Sequence, residues 1–101
     1  MIRIGIDYYP EHWDRSMWEE DAGRMEALGV HVVRIGEFAW SRMEPRDGAF
    51  DFGWLDDAIG VLSRHKMKII LGTPTNSAPV WLYHDHPDTL QWGRDLSLIH
   101  I

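Results

Sequence analysis

Three short apolar runs, separated by two helical patterns, constrain the fold of this chain more than any other feature. The runs span residues 2–9, 31–36 and 67–72, and each is almost continuously apolar instead of alternating. Strands that are buried on both faces, as in a parallel sheet, have this pattern. The order strand, helix, strand, helix, strand therefore predicts βαβ units and a parallel sheet.

The first helix is predicted from apolar residues that recur at helical spacing, Trp18, Ala22, Met25 and Leu28. Asp14 is its predicted N-cap, and Gly29 is the residue at which we expect it to stop. Acidic residues near the start of this segment favour the positive end of the helix dipole.

The second helix is predicted from a similar set, Trp54, Leu55, Ala58, Ile59 and Leu62. Asp51 is its predicted N-cap, and the basic residues 64–66 suit its C-terminal end. Gly60 weakens the helix by about 1 kcal/mol relative to alanine without ending it. A loop over residues 73–79 and a short helical turn from Pro79 to His84 are expected after the third strand.

Composition excludes several classes of protein. Sixteen acidic residues against ten basic ones give a net charge of −6, and no Lys/Arg cluster provides a nucleic-acid footprint. The absence of Cys excludes disulfides and thiolate metal sites within the chain. No stretch approaches the roughly 18 apolar residues of a membrane helix, and the first apolar run is too short for a signal peptide. We expect a soluble, cytoplasmic protein without cofactor, membrane or nucleic-acid partner.

Polar and aromatic residues follow each predicted strand, over residues 7–13, 37–40 and 73–77. In parallel α/β folds the functional groups lie at these carboxyl ends. The composition is typical of a sugar pocket, where aromatic faces stack and polar groups bind hydroxyls, although most large aromatic residues are core residues. Tyr9, Trp40 and Asn76 are therefore candidate pocket-wall residues.

Arg34 lies inside an apolar strand, and a buried guanidinium needs anionic partners. Because side chains alternate along a strand, Arg34 is expected on the face opposite Val33 and Ile35. An ordinary interior ion pair with Glu37 or Asp7 is one interpretation of this residue.

Other ionisable residues have plain structural interpretations beside functional ones. Glu37 follows the second strand and is either a substrate-binding group or a structural carboxylate that binds loop backbone or a neighbouring base. Glu11 is predicted to cap a helix or to interact with its dipole, and His12 is predicted to pack or to form hydrogen bonds. His84 and His86 are predicted surface residues of a turn, so the sequence does not indicate a metal site.

Three motifs in fixed order make the chain resemble one enzyme family. Residues 7–13 (DYYPEHW), 33–40 (VRIGEFAW) and 71–75 (LGTPT) resemble segments of the family 42 β-galactosidases, and the resemblance runs without a gap from about Ile4 to about Leu90. Asp7 departs from the pattern, since members often have a small residue such as Cys there. No role for Asp7 is therefore implied.

The resemblance implies a retaining β-galactosidase that hydrolyses terminal β-D-galactosyl residues and has an α/β fold, the (β/α)8 or TIM barrel. Members of the wider clan place the acid/base Glu after strand four and the nucleophile Glu after strand seven, both beyond the three strands predicted here. It also implies a second interpretation of Arg34, as a support for the nucleophile's carboxylate. The implied substrate-binding set is Arg34, Glu37, Tyr9, Trp40 and Asn76, and the intact enzyme is expected to be a homo-oligomer.

Residues 1–95 are accordingly expected to be the N-terminal part of the catalytic barrel, with about three strands and two helices and with both catalytic carboxylates lacking. Residues 96–101 (LSLIHI) break the pattern and resemble a translated transposon end used in sequencing libraries, so we predict a non-native tail. A non-catalytic carbohydrate-binding fragment and another retaining β-glycosidase of the clan are the alternatives. An open third-strand edge predicts poor solubility.

Overall fold

A computed structural model describes residues 2–75, 77–89, 91–92 and 98–99 of the chain. Its main sheet has three strands, β1 (Ile4–Asp7), β2 (Val30–Ile35) and β3 (Lys68–Leu71), which are parallel and lie in the order β1-β2-β3. A small antiparallel pair is formed by β4 (Gln91–Trp92) and β5 (Leu98–Ile99). The predicted parallel sheet is confirmed.

The described helices are α1 (Trp18–Ala27), α2 (Trp40–Met43), α3 (Gly53–Arg64) and α4 (Val80–Asp85), with short 3-10 helices at Pro10–His12, Arg15–Met17 and Pro87–Thr89. The sequence predicts α1, α3 and α4 but not α2, which is too short to show a helical period. Within the described ranges, no helix is long and apolar enough to cross a membrane.

The predicted C-terminal stop of α1 is confirmed, but its predicted N-cap, Asp14, is wrong, because Met17 is the N-cap and forms no side-chain capping hydrogen bond. The Asp14 carboxylate accepts a hydrogen bond from the backbone N–H of Ser16 at 2.9 Å and thereby caps the 3-10 turn that leads into α1. At the other end Gly29 has a φ of +84°, a left-handed conformation that glycine adopts without strain.

The predicted N-cap of α3 is wrong by one residue. Phe52 is the N-cap, because its carbonyl accepts the first helical hydrogen bond, from the N–H of Asp56 at 2.9 Å. Asp51 lies one position earlier, where its carboxylate accepts a hydrogen bond from the N–H of Gly53 at 3.3 Å.

The core lies between one face of the sheet and the helices. It is formed by buried side chains of α1, β2, α3 and their flanking segments: Ala22, Met25, Val30, Val33, Ile35, Ala39, Met43, Leu55, Leu62 and Met67. The expectation that the strands are buried on both faces is wrong for the described structure, because β1 and most of β3 are exposed and β2 alternates. Among the described residues, helices pack on one face of the sheet.

The strand register places Arg34 on the uncovered face. Asp7, Arg34 and Ile70 are neighbours across the three strands, while Val33 and Ile35 are buried against the helices. The predicted side of Arg34 is therefore confirmed, because neighbouring residues of a strand point to opposite faces.

An imidazole joins the C-terminal end of α3 to α1. His65, the residue that follows α3, has Nε2 at 2.6 Å from Glu19 and Nδ1 at 3.0 Å from Glu26, both on α1. The hydrogen bonds to Glu26 and Glu19 raise the pKa of His65, and the bond to His65 lowers the pKa of Glu19. Arg64 also reaches Glu19, at 3.4 Å.

This contact predicts a pH-dependent attachment of α3 to α1. Because the folded-state pKa of His65 is raised, its stabilising effect is complete below the unfolded pKa of about 6.5 and is lost as pH rises through the folded pKa. His65→Gln should therefore reduce amide protection in the last turn of α3 strongly at about pH 5.5 and weakly at about pH 8.5. Hydrogen exchange measured at matched pH tests this.

His84→Gln is the matched control, since it removes an exposed imidazole from α4 and leaves the α1–α3 contact intact. A His65→Gln effect that is equal at the two pH values would contradict the charged contact.

The outer strands carry exposed apolar side chains that predict self-association. Ile4 of β1 is 50% exposed and Ile70 of β3 is 54% exposed, on strands whose outer edges have no partner among the described residues. We expect the double variant Ile4→Lys/Ile70→Lys to be more soluble than the parent chain, because charged edge residues disfavour edge-to-edge pairing. Ile2→Lys adds a charge before β1 and is the control. Sedimentation that shows a soluble monomer for the unmodified chain would contradict the prediction.

Candidate functional site

The carboxyl end of β2 carries an ion pair between two predicted site residues. Arg34 Nη2 lies 3.3 Å from Glu37 Oε1, and the two side chains are 48% and 21% exposed. The predicted burial of the Arg34 guanidinium is therefore wrong, because the described residues leave its face of the sheet uncovered. The predicted pairing with Glu37 is present.

Tyr9 completes a cluster with these two residues. Its hydroxyl donates a hydrogen bond to Glu37 Oε2 at 3.3 Å, so each carboxylate oxygen of Glu37 has its own partner. The Tyr9 ring contacts the rings of His12 and Phe38, with centroid distances of 5.4 and 5.7 Å. Desolvation and the Glu37 carboxylate raise the pKa of the Tyr9 hydroxyl.

Tyr8 points the other way. Its hydroxyl donates a hydrogen bond to Asp21 of α1 at 2.7 Å, and its ring packs against the core. Burial and this hydrogen bond raise the pKa of the Tyr8 hydroxyl above its usual value. Of the two adjacent tyrosines, Tyr9 thus belongs to the candidate site and Tyr8 attaches the loop to α1.

Two glycines make the geometry of the site possible. Gly36 has a φ of +79°, and a Cβ atom there would lie 3.0 Å from Met43 Cε and 3.2 Å from Leu71 Cδ1. The N–H of Gly72 donates to the carbonyl of Ile35 at 3.0 Å, which brings the end of β3 against the end of β2. Gly36 therefore sets the turn that presents Glu37.

A polar cavity of about 630 Å³ opens beside this cluster and is lined by Arg34, Glu37, Ile70, Leu71, Gly72, Thr73 and Thr75. A smaller cavity of about 290 Å³, lined in part by Asp7 and Arg34, adjoins it along the uncovered face of the sheet. Arg34 lines both. The carboxyl ends of the strands therefore do converge on a concave polar site, as the sequence predicts.

Trp40 lies outside this polar cavity. It lines a separate groove of about 210 Å³ together with Met43, Glu44, Phe50, Phe52, Pro74 and Thr75. Asn76, also predicted as a pocket-wall residue, lies outside the described residues. The structure thus brings Arg34, Glu37 and Tyr9 together and places Trp40 in the neighbouring groove.

Thr75 contributes to both the polar cavity and the groove, and sequence reasoning did not single it out. Its position in the loop after β3 is a signal that could have identified it. Three tryptophans have structural roles, in line with the expectation that most large aromatic residues are core residues. The indole N–H groups of Trp18, Trp54 and Trp81 donate to the carbonyls of Pro10, Arg42 and Glu44 at 2.9, 3.2 and 2.8 Å, and so hold the loops in place.

The remaining ionisable residues behave in different ways. Both carboxylate oxygens of Glu11 are shielded from solvent and have no hydrogen-bond partner among the described residues, so the predicted capping hydrogen bond is absent there. Glu11 lies in the first turn of the 3-10 helix Pro10–His12, and its interaction with the helix dipole stays a prediction. His12 packs on Tyr9, and His84 is exposed beside Asp85, as expected. In the described part of the chain, His, Asp and Glu residues nowhere cluster in a way that could hold a metal ion.

Alanine substitutions at two glycines test how the turn presents Glu37. Gly36 and Gly48 both have positive φ, but a Cβ at Gly48 would meet nothing within 4 Å. Gly48→Ala should cost about 1 kcal/mol of unfolding free energy from backbone strain alone. Gly36→Ala should cost at least about 2 kcal/mol, because the methyl group also displaces Met43 and Leu71. Urea unfolding followed by circular dichroism measures both, and equal costs would rule out the crowding.

Comparison with known proteins identifies relatives along almost the whole chain. A family model described as β-galactosidase (glycoside hydrolase family 42) matches residues 7–99. The chain is 57% identical over 90 residues to β-galactosidase BgaA of Clostridium cellulovorans, a match that covers 89% of this chain and 14% of the relative. It is 48% identical over 94 residues to β-galactosidase BgaH of Haloferax lucentense, with 93% and 14% covered.

Solved structures agree with these matches. The β-galactosidase of the psychrophilic Marinomonas ef1 superimposes with a TM-score of 0.92 at 41% identity, covering 99% of this chain and 15% of that chain. The enzyme of the Antarctic haloarchaeon Halorubrum lacusprofundi has the same TM-score at 40% identity. The chain spans about 14% of the length of the curated relatives named above.

Proposed function

The chain belongs to glycoside hydrolase family 42, and on that premise we propose that it forms one wall of the galactosyl-binding pocket of a retaining β-galactosidase. The substrate is a terminal β-D-galactosyl residue, and the fragment binds it without hydrolysing it. The observation that carries this proposal is the Arg34–Glu37–Tyr9 cluster beside the polar cavity.

The chemistry of the cluster suits sugar hydroxyls. A guanidinium offers only donors, a carboxylate offers acceptors, and the phenol of Tyr9 can do both. These groups line or adjoin a cavity of about 630 Å³, which is large enough for a small ligand. Thr73 and Thr75 also line this cavity and add two hydroxyl groups.

Hydrolysis by a retaining mechanism needs two carboxyl groups about 5–5.5 Å apart. Among the described residues, Glu37 has Arg34 and Tyr9 as its ion-pair and hydrogen-bond partners. We therefore assign Glu37 to substrate binding and the catalytic pair to the parent enzyme outside this chain. We also propose that Arg34 donates to the nucleophile's carboxylate in that enzyme, since its guanidinium is half-exposed on the face of the sheet that the described helices leave uncovered.

We also propose that residues 1–95 are the N-terminal part of the catalytic barrel and that residues 96–101 are a non-native tail. Of this segment, Leu98 and Ile99 form β5 and lie within the range that the family model matches, while residues 96, 97, 100 and 101 lie outside the described part of the chain. Genomic sequencing beyond Asp95 is therefore the test, and a genomic sequence that encodes LSLIHI would contradict the proposed tail. We also propose that the parent enzyme is cytoplasmic and homo-oligomeric. Another retaining β-glycosidase of the clan is disfavoured by the β-galactosidase relatives on both comparisons.

The proposal predicts binding without turnover. We expect the chain to release no detectable product from a chromogenic β-galactoside, yet to bind methyl β-D-galactoside in ligand-observed nuclear magnetic resonance. Arg34→Ala should weaken this binding about tenfold or more, because hydrogen bonds from a charged donor are lost. Arg24→Ala, which removes an exposed guanidinium from α1, is the matched control.

Measurable turnover by the chain would contradict the assignment of the catalytic pair. Unchanged binding in Arg34→Ala would contradict the assignment of the pocket.

A further inference from the structure

The groove beside the polar cavity has the opposite chemistry. Its walls are the rings of Trp40, Phe50 and Phe52 with Met43 and Pro74, and almost all of its surface is apolar. The Phe50 and Phe52 rings are stacked, 5.6 Å apart with an interplanar angle of 17°, and are 63% and 46% exposed. Exposed aromatic rings grouped in this way are typical of a ligand surface.

Hydrogen bonds hold this groove in shape. The indole N–H of Trp40 donates to Glu44 Oε1 at 2.8 Å, and the backbone N–H of Gly48 donates to Glu44 Oε2 at 2.9 Å. The N–H of Asp51 donates to the carbonyl of Met43 at 2.7 Å, which returns the turn to α2. The Trp40 wall and the turn that carries Phe50 are therefore oriented before any ligand binds, which reduces the entropic cost of binding.

The position of the groove indicates what it binds. Thr75 lines both the groove and the polar cavity, so the two sites adjoin at this residue. The two sites offer hydrogen-bonding groups on one side of Thr75 and aromatic faces on the other. A β-galactoside has the same two halves, a hydroxyl-rich galactosyl unit and an aglycone.

We propose that this groove, formed by Trp40, Phe50, Phe52 and Pro74, binds the aglycone of the β-galactoside and favours aromatic over small aliphatic aglycones. This inference rests on the proposed galactosyl pocket and adds a determinant of substrate preference to it. The groove holds about 210 Å³, and an apolar cavity of about 150 Å³ is enough to bind benzene. A single aromatic ring therefore fits.

The test compares two galactosides that differ only in the aglycone. The chain is titrated with 4-nitrophenyl β-D-galactoside and with methyl β-D-galactoside, and saturation-transfer nuclear magnetic resonance gives both affinities in dilute protein solution. We expect the aryl galactoside to bind more tightly. Phe50→Ala should weaken the aryl galactoside about threefold to tenfold and leave the methyl galactoside unchanged, since one aromatic contact is lost.

Controls separate this inference from the proposed function. Arg34→Ala should weaken both galactosides together, and Leu28→Ala, which removes an exposed apolar side chain after α1, should change neither. An unchanged aryl-to-methyl preference in Phe50→Ala overturns the aglycone site while the galactosyl pocket stands. If neither galactoside binds, both proposals fail.

Two further outcomes would also overturn the inference. Free 4-nitrophenol that binds through Phe50 while galactosides do not would make the groove an isolated aromatic site. In gel filtration, Phe50→Ala could convert the chain from an oligomer to a monomer while the preference for the aryl galactoside stays unchanged. That result would make the groove a contact between copies of this chain.

Discussion

The alternation of side chains along β2 is the constraint on which the rest of the structure depends. Val33 and Ile35 are fully buried against the helices, and the residue between them must then face the other side of the sheet. That residue is Arg34, whose guanidinium reaches Glu37 at the strand's carboxyl end. Packing on one face of the sheet thus determines where charge appears on the other face. A shift of one residue in the strand register would exchange the buried and the charged faces.

Most residues of the candidate site lie in loops rather than in strands. Hydrogen bonds from tryptophan N–H groups fix these loops in place. Trp18 donates to the loop after β1, and Trp54 and Trp81 donate to carbonyls around α2. An indole combines a large apolar surface with one donor, so each of these residues both packs and fixes a carbonyl. The abundance of tryptophan that suggested sugar stacking is therefore explained largely by the architecture, and Trp40 is the one placed in the groove.

Two surfaces of opposite character meet at Thr75. On one side are the charged and hydroxyl groups around Arg34 and Glu37, and on the other are the stacked rings of Phe50 and Phe52. In our proposal the first surface binds the polar sugar of a β-galactoside and the second binds its leaving group. The glycine turn at Gly36 keeps the two close, because a side chain there would push Met43 and Leu71 apart.

The sequence by itself determined the parallel sheet, the helices α1 and α3, the side of the sheet on which Arg34 lies, and the family. Periodicity and rare motifs carry that information locally. It misplaced the N-cap of α3 and overestimated strand burial, because a cap depends on which carbonyl accepts first and burial depends on what packs opposite. Only the tertiary structure decided that Tyr9 and not Tyr8 meets Glu37 and that Trp40 lies in the groove. Those outcomes depend on contacts between residues far apart in the chain, which no local pattern encodes.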